Sequence, residues 1–291
     1  MKEFQCVTLD YQKEKQTLTW KIRNKGMPNF CLAGLKEFEV FSRWVQAYFS
    51  HPDRPLQFII SGSEHQGIYN LGGDLPFFLE CIINRQVDRL REYAHLCINA
   101  IYHIYNGFNL PVITLAQVEG NAYGGGFECA LAHDFIIANE TAQLGLPENK
   151  FNLFPGMGAY SLLYRKLNHS DADMIIRSGS VYKSRFFESL GLIHEVAEEH
   201  NMISTSGNIL QKLACRFNFE YHHMQCKKLV NPLQKEELLN ITDIWVDACM
   251  KTNASDLRKM EILAAAQRRK LSVGLVTTQS QPHVRYETSL E

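Results

Sequence analysis

Hydrophobic and polar positions alternate along the first part of the chain and recur at helical spacing farther on. Alternation in "CVTLDY" and "TLTWKI", on either side of a charged turn, predicts a pair of strands. The short apolar run "LQFIIS", bounded by Pro55 and Gly62, predicts a buried strand, and "VITLAQVEG" and "DFIIANE" predict two more. Helical spacing predicts long helices over "LKEFEVFSRWVQAYF" and over residues 84–105, the second of which ends before Gly107.

The order of these elements is strand, loop, helix, strand, loop, helix, strand, which is typical of an α/β fold. After about residue 200 the pattern changes to three amphipathic helices with no strand between them: "NILQKLACRF", "PLQKEELLNITDIWVDACMK" and "ASDLRKMEILAAAQRRK". The pattern therefore predicts an α/β core at 1–200 and a helical region at 201–291. The last dozen residues have the composition of a loose tail.

Composition excludes several classes of protein. Hydrophobic residues make up 45% of the chain and charged residues 21%, as in globular proteins with a buried core. A net charge of -1 argues against a broad nucleic-acid surface. No run approaches the roughly 18 apolar residues of a membrane span, and the start does not resemble a signal peptide, so we expect a cytoplasmic location. The eight cysteines form no CxxC pair and are interpreted as reduced thiols in the core.

Three consecutive glycines precede a glutamate in "GNAYGGGFECALAHDFIIA", and a second glutamate follows in "GLPE". Glycines let a backbone approach a ligand closely, and the first N–H groups of a helix have no intrahelical partner. If "GGGFECALA" opens a helix, the N–H of Gly125 or Gly126 can stabilise an oxygen that becomes negative during a reaction, with Glu128 beside it. The alternative is that the glycines only allow a helix to pack tightly on a strand.

A second glycine loop, "YNLGGDL", also follows a predicted strand. An oxyanion hole is usually built from two donors, and Gly73 can supply the second N–H group. Asp74 is a candidate N-cap for a helix that begins in "LPFFLECII".

Other chemistries find little support in the sequence. The glycines do not fit the GxGxxG pattern of a dinucleotide site, and neither GxSxG nor HExxH is present. The segment "YHHMQC", with His222, His223 and Cys226, offers three metal-ligand types, but no further ligands follow at fitting spacing. We therefore expect no metal site, and these histidines are interpreted as surface or core residues.

Taken together, "YNLGGDL", "VEGNAYGGGFECALAHDFIIA" and "AQLGLPENKFNLFPGMGAYSLL" resemble the signature segments of the crotonase (enoyl-CoA hydratase and isomerase) superfamily, in order and spacing. Within it, "NLGGDL", "GLPE" followed by "FPGMGAYS", and "ITDIWVDACM" resemble the RpfF-type diffusible-signal-factor (DSF) synthases, which make cis-2-unsaturated fatty acid signals in quorum sensing. The resemblance implies a spiral of ββα units with a C-terminal helical trimerisation domain, and no cofactor.

Carried over by this resemblance, the oxyanion donors fall on Gly73 and Gly125 and the catalytic acids on Glu128 and Glu148. The implied reaction is dehydration of a 3-hydroxyacyl thioester of about twelve carbons, followed by thioester hydrolysis. One glutamate takes the α-proton and the other protonates the leaving hydroxyl, but the sequence does not indicate which is the acid. Met157, Trp245 and Leu263 are candidates for the acyl sleeve, or else ordinary core residues.

Two rival functions fit the same motifs. One is an ordinary enoyl-CoA hydratase or isomerase of fatty-acid metabolism, and the other is a non-catalytic crotonase-like scaffold that binds a regulatory partner or RNA. Retention of both glutamates and both glycines argues against the scaffold. The implied partners are an acyl-carrier protein or coenzyme A thioester, a sensor kinase, and further copies of the chain in a homotrimer or a dimer of trimers. Basic clusters available to an acidic carrier are Arg85, Arg89 and Arg91, and Arg268, Arg269 and Lys270.

Overall fold

The computed structural model describes residues 2–24 and 26–278, which form ten strands and eleven α-helices. The strands are β1 Val7–Gln12, β2 Thr17–Ile22, β3 Phe58–Ser63, β4 Ile68–Asn70, β5 Ile113–Val118, β6 Asn121–Tyr123, β7 Phe135–Asn139, β8 Gln143–Gly145, β9 Val181–Lys183 and β10 Glu195–Ala197. The helices are α1 Leu32–Phe49, α2 Leu75–Ile83, α3 Val87–Tyr105, α4 Gly125–Leu131, α5 Ala159–Lys166, α6 His169–Ser178, α7 Ser184–Ser189, α8 Met202–Cys215, α9 Phe217–Val230, α10 Lys235–Met250 and α11 Ala254–Thr278. The α/β prediction is confirmed.

The larger sheet has the order β1-β2-β3-β5-β7-β10, in which β1 and β2 are antiparallel and the remaining pairs are parallel. Its central strands are buried on both faces, as is usual for parallel sheets. On β3, for example, Ile59 joins the main core beneath the helices, whereas Phe58 and Ile60 pack with Met202 and Leu213 of α8 on the opposite face. The predicted strand pair and the three predicted buried strands all lie in this sheet.

A smaller sheet has the order β4-β6-β8-β9, with β4, β6 and β8 parallel. The chain therefore repeats one pattern, a strand in the larger sheet followed by a strand in the smaller one. The first two repeats are followed by helices. Because β4, β6 and β8 are parallel neighbours, the loops that follow them emerge at the same edge. This edge carries the two glycine loops and the "GLPE" segment.

The C-terminal region contains four helices in the described residues, so the prediction of three is wrong. The missed helix, α9, has no fully buried residue. Its Phe217 and Tyr221 are partly buried against the sheet, and the ammonium of Lys228 contacts Asp134 at 2.7 Å and donates to the carbonyl of Tyr105 at 2.7 Å. The helices α10 and α11 pack against α3 and α2. The predicted tail lies outside the described residues, and the division at residue 200 stays a prediction.

The cysteines are all free, but their common interpretation as core residues is wrong. Cys81, Cys97, Cys129 and Cys249 are buried, whereas Cys215 and Cys226 are exposed on α8 and α9. These two helices bury few of their residues, so most positions on them, including Cys215 and Cys226, face solvent. None of the helices in the described part of the chain combines the length and hydropathy that crossing a bilayer requires.

Candidate active site

The two glycine loops meet at the edge of the smaller sheet. Gly72 has a φ of +85° and Gly124 a φ of +52°, conformations that favour glycine. A Cβ placed on Gly72 would lie 2.9 Å from the nitrogen of Gly125, and one placed on Gly126 would overlap the backbone carbonyl of Asn70. The glycines therefore allow tight packing of the two loops, and the role of the triplet as an oxyanion donor stays a prediction.

Both candidate oxyanion donors are free to bind a ligand. In the described part of the chain, neither the N–H of Gly73 nor that of Gly125 has a hydrogen-bond acceptor. Gly125 is the first residue of α4, where the N–H has no intrahelical partner. Gly73 precedes Asp74, whose side chain accepts from the N–H of Phe77 at 3.3 Å and caps α2 as predicted.

Glu128 lies on the first turn of α4 and is 1% exposed. Its Oε1 accepts two backbone hydrogen bonds, from Met157 at 2.8 Å and from Ala159 at 2.9 Å. Burial raises the pKa of the carboxyl above its ordinary value, while these two N–H donors act in the opposite direction by stabilising the ionised form. The two N–H donors therefore offset part of the cost of burying a charge on Glu128.

Glu148 lies on a 3₁₀ helix, Pro147–Phe151, that follows β8. Among the residues that the structure describes, its buried Oε2 has no hydrogen-bond partner, and a Cβ on Gly124 would overlap its Oε1. Burial raises the pKa of Glu148, and the negative charge of Glu128 raises it further. Because Glu148 lacks the two backbone donors that stabilise a charge on Glu128, the proton of the pair belongs on Glu148.

One cavity brings together every residue that the sequence predicted for the site. Its wall includes Gly73, Gly125, Glu128, Glu148, Met157, Trp245 and Leu263. Most of the remaining wall is apolar and includes residues for which the sequence predicted no role in the site, among them Leu75, Phe78, Tyr93 and Cys97. These residues follow ordinary core patterns on helices and loops, so periodicity gives no signal that they face a cavity. The chemical roles of the seven predicted residues stay predictions.

Met157 and Trp245 line the cavity and also pack in the hydrophobic core. The N–H of Met157 binds Glu128, and its sulfur lies where a Cβ on Gly125 would be. Trp245, on α10, is 7% exposed and packs edge-on against Phe78 with ring centroids 5.1 Å apart. Leu263 reaches the same cavity from α11. The C-terminal helices therefore close one side of the cavity.

Two other candidate features lie away from this cavity. His222 donates to the carbonyl of Asn218 at 2.7 Å, and His223 stacks on Phe219. In the described residues, no three His, Cys, Asp or Glu side chains lie close enough together to hold a metal ion. In the first basic cluster, each arginine is engaged within the chain: Arg85 with the carbonyl of Met250, Arg89 with Glu80, and Arg91 with Asp88 and Asp243.

Comparisons with known proteins agree with this architecture. Residues 59–272 match the family model described as enoyl-CoA hydratase/isomerase. Similar solved structures include an enoyl-CoA hydratase from Bacillus halodurans, with a TM-score of 0.73 and 22% identity over 88% of this chain and 99% of that one. The human mitochondrial Δ3-Δ2-enoyl-CoA isomerase gives a TM-score of 0.75 and 16% identity over 91% and 99% of the two chains. DspI from Pseudomonas aeruginosa gives 0.58 and 17% over 90% and 96%. At these identities the likeness shows the fold.

Proposed function

Because the chain belongs to the enoyl-CoA hydratase/isomerase family, we propose that its cavity removes water from a 3-hydroxyacyl thioester. The observation that carries the proposal is a pair of buried carboxyls in unequal environments beside two unpaired backbone N–H groups. Elimination requires one ionised carboxyl and one protonated carboxyl. The pair formed by Glu128 and Glu148 meets that requirement with a single proton.

The thioester carbonyl would accept hydrogen bonds from Gly73 and Gly125. Two such donors stabilise the enolate that forms when the α-proton leaves, and each is worth about 3 kcal/mol. One carboxylate accepts the α-proton, the Cβ–O bond breaks, and the other carboxyl gives its proton to the departing hydroxyl as water. The two carboxyls exchange roles between elimination and addition of water.

The finer proposal is that the product leaves as a free cis-2-enoic acid, as in DSF synthesis. A second water then attacks the enoyl thioester carbonyl and a glutamate accepts its proton. The C–S bond breaks, and the glutamate returns that proton to the departing thiolate, which releases the acid and the carrier thiol. Support comes from "NLGGDL" and "ITDIWVDACM", because both segments contribute to the cavity wall, through Leu71 and through Trp245. Acyl-carrier protein is the proposed carrier. The sensor-kinase partner and the trimer remain predictions from the resemblance, and the cytoplasmic location remains a prediction from the sequence pattern.

An ordinary hydratase or isomerase acting on coenzyme A thioesters is the second candidate. It is favoured by the structural similarity to the Bacillus halodurans enoyl-CoA hydratase and the human enoyl-CoA isomerase, whose names state these activities for those proteins. Both candidates use the same carboxyls and the same backbone donors, so they differ in the fate of the product.

Product analysis distinguishes the two candidates. Purified protein is incubated with 3-hydroxyacyl thioesters of acyl-carrier protein and, separately, of coenzyme A, and free acids and thioesters are then quantified by mass spectrometry. The proposal predicts a free cis-2-enoic acid. Release of only trans-2-enoyl thioester would favour the hydratase, and absence of any turnover with either carrier would contradict both enzymatic functions.

A further inference from the structure

We propose that the hydroxyl of Tyr93 is a positioning group that holds the Gly73 N–H toward the thioester oxygen. The inference rests on the proposed use of Gly73 as an oxyanion donor. It explains how the backbone on either side of Gly73 keeps its N–H pointing in one direction.

The loop is anchored on both sides of Gly73. The N–H of Gly72 donates to Oδ1 of Asn70 at 2.7 Å, and the carbonyl of Gly72 accepts from the N–H of Phe30 at 2.9 Å. In a trans peptide the carbonyl and the following N–H point in opposite directions. Binding of the Gly72 carbonyl to Phe30 therefore turns the N–H of Gly73 away from Phe30.

Tyr93 anchors the next peptide. Its hydroxyl accepts the N–H of Asp74 at 3.1 Å and donates to the carbonyl of Phe30 at 2.5 Å. One hydroxyl thus joins the loop of Gly73 to the segment that holds Gly72. With the N–H groups of Gly72 and Asp74 both bound, the N–H of Gly73 is left free between them.

The ring of Tyr93 is itself fixed, which makes the hydroxyl a rigid reference point. Tyr93 is 1% exposed, its ring stacks on Phe77 at 4.9 Å, and Phe78 meets it edge-on at 5.3 Å. Phe78 also fills the space that a Cβ on Gly73 would need. The ring of Phe78 therefore packs against Gly73, and the hydroxyl of Tyr93 holds the next peptide by hydrogen bonds.

The test separates carbonyl activation from general stability. Acetoacetyl-coenzyme A forms an enolate that absorbs in the near ultraviolet, and an oxyanion hole lowers the pH at which the bound ligand ionises. We expect wild-type protein to lower this midpoint, and Tyr93→Phe to return it upward by about one pH unit, equal to a tenfold weaker stabilisation of the enolate. For the 3-hydroxyacyl thioester, kcat should fall about tenfold while KM changes less than about threefold, because the lost interaction belongs to the transition state.

Tyr69→Phe is the matched control. Tyr69 is also 1% exposed, and although it begins the segment "YNLGGDL", its hydroxyl pairs with Ser61 of β3 at 2.8 Å and not with Phe30 or Asp74. It should lose stability without moving the ionisation midpoint. If Tyr93→Phe does not fold, Tyr93→4-aminophenylalanine keeps the donor to Phe30 and weakens the acceptor for Asp74, and an intermediate midpoint is expected.

The outcomes distinguish the two proposals. A wild-type protein that leaves the ionisation of bound acetoacetyl-coenzyme A unchanged would overturn the oxyanion function and the inference with it. A wild-type midpoint that is lowered, and stays equally lowered in Tyr93→Phe or in the 4-aminophenylalanine variant, would overturn the role of Tyr93 alone.

Discussion

Glu128 and Glu148 line one cavity, and the charge of the first raises the pKa of the second. Their surroundings differ, because Glu128 accepts two backbone hydrogen bonds whereas Oε2 of Glu148 has no partner. Two carboxyls that share one proton provide an acid and a base without any further group. The first predictions therefore concern this pair of carboxyls as the acid and base of the proposed dehydration.

Replacing either carboxyl by its amide should abolish most of the dehydration. Glu128→Gln and Glu148→Gln each remove one partner of the proton transfer, and we expect kcat to fall by about a thousandfold. Glu37→Gln is a matched control, because Glu37 also accepts two backbone N–H groups, from Gln5 and Cys6, but lies outside the cavity. It should retain full turnover. Near-normal kcat in either cavity variant would contradict the two-carboxylate mechanism.

The pH dependence of kcat/KM should be bell-shaped and displaced upward. Activity needs one proton on the pair, so it is lost at low pH when both carboxyls are protonated and at high pH when both are ionised. Burial raises both pKa values above the ordinary 4.5, which places both limbs above that value. Measurement of kcat/KM across the pH range tests this. An acid limb at the ordinary carboxyl pKa would show that the pair is not buried in the working enzyme.

The free energy of unfolding should decrease as pH rises, because burial also raises the pKa of Glu148. A raised pKa means that the folded protein binds the Glu148 proton more tightly than the unfolded chain, so stability is fully present below the unfolded pKa and is lost as pH rises through the folded one. Each pKa unit contributes about 1.4 kcal/mol. Unfolding in urea at several pH values should show a smaller decline for Glu148→Gln than for wild type. Parallel curves for the two proteins would contradict the raised pKa.

The sequence was most informative about the larger sheet. Its strands, such as β3 and β5, have six residues each, and five of the six are buried, so their apolar residues stand out against the flanking segments. The strands β4, β6 and β8 have three residues each, too few to display a period, and they were not predicted. Yet these short strands bring the three site loops to one edge. The loops were found through their glycines and glutamates. The meeting of Gly73 and Gly125 was predicted because an oxyanion hole is usually built from two donors, and the resemblance added Glu148 to the same site.

Two further misses have the same physical origin. The helix α9 has no fully buried residue and packs on the sheet through Phe217 and Tyr221, an apolar stripe too short to stand out from its polar neighbours. Tyr93 lies on the strongly periodic helix α3, where an apolar position is fully explained by packing. Its hydroxyl reaches Phe30 and Asp74, contacts between residues distant in sequence that no local pattern encodes. Periodicity reports burial and gives no information about the partner of a buried polar group.

Adjacent glycines of the triplet should respond differently to alanine. Neither Gly125 nor Gly126 has a positive φ, so only the available space matters. A Cβ on Gly126 would overlap the backbone carbonyl of Asn70, which has no room to move, and we expect a stability loss of about 1–3 kcal/mol. A Cβ on Gly125 meets the mobile sulfur of Met157. Gly125→Ala should therefore remain folded but lose turnover, since the displaced side chain enters the cavity beside the donor.

Urea unfolding and kcat measured on both glycine variants test this contrast. Gly125→Ala combined with Met157→Ala restores space and should recover part of the turnover. Equal stability losses in the two single variants would contradict the distinction between backbone and side-chain neighbours.

Trp245 should control which acyl chain is accepted and how it bends. Its ring packs on Phe78 and against Gly156 at the cavity wall, where the chain of a thioester held by Gly73 and Gly125 would run. Trp245→Ala removes wall without touching the carboxyls, so it should change the preferred chain length or the cis to trans ratio. Exchange of the α-proton with deuterium in heavy water should change less, because it depends on the oxyanion donors and a base. Truncation also costs about 3–5 kcal/mol of stability, so assays are made below the unfolding transition.

The neighbouring Ile244 gives the control for this last prediction, because it lies on the same helix with 61% of its surface exposed. Ile244→Ala should leave chain preference, isomer ratio and exchange unchanged. In Trp245→Ala, product distribution and α-proton exchange are measured on the same preparations with thioesters of several lengths. If exchange and every product fall by the same factor, Trp245 supports the fold alone, and the selection of the acyl chain must lie elsewhere in the cavity.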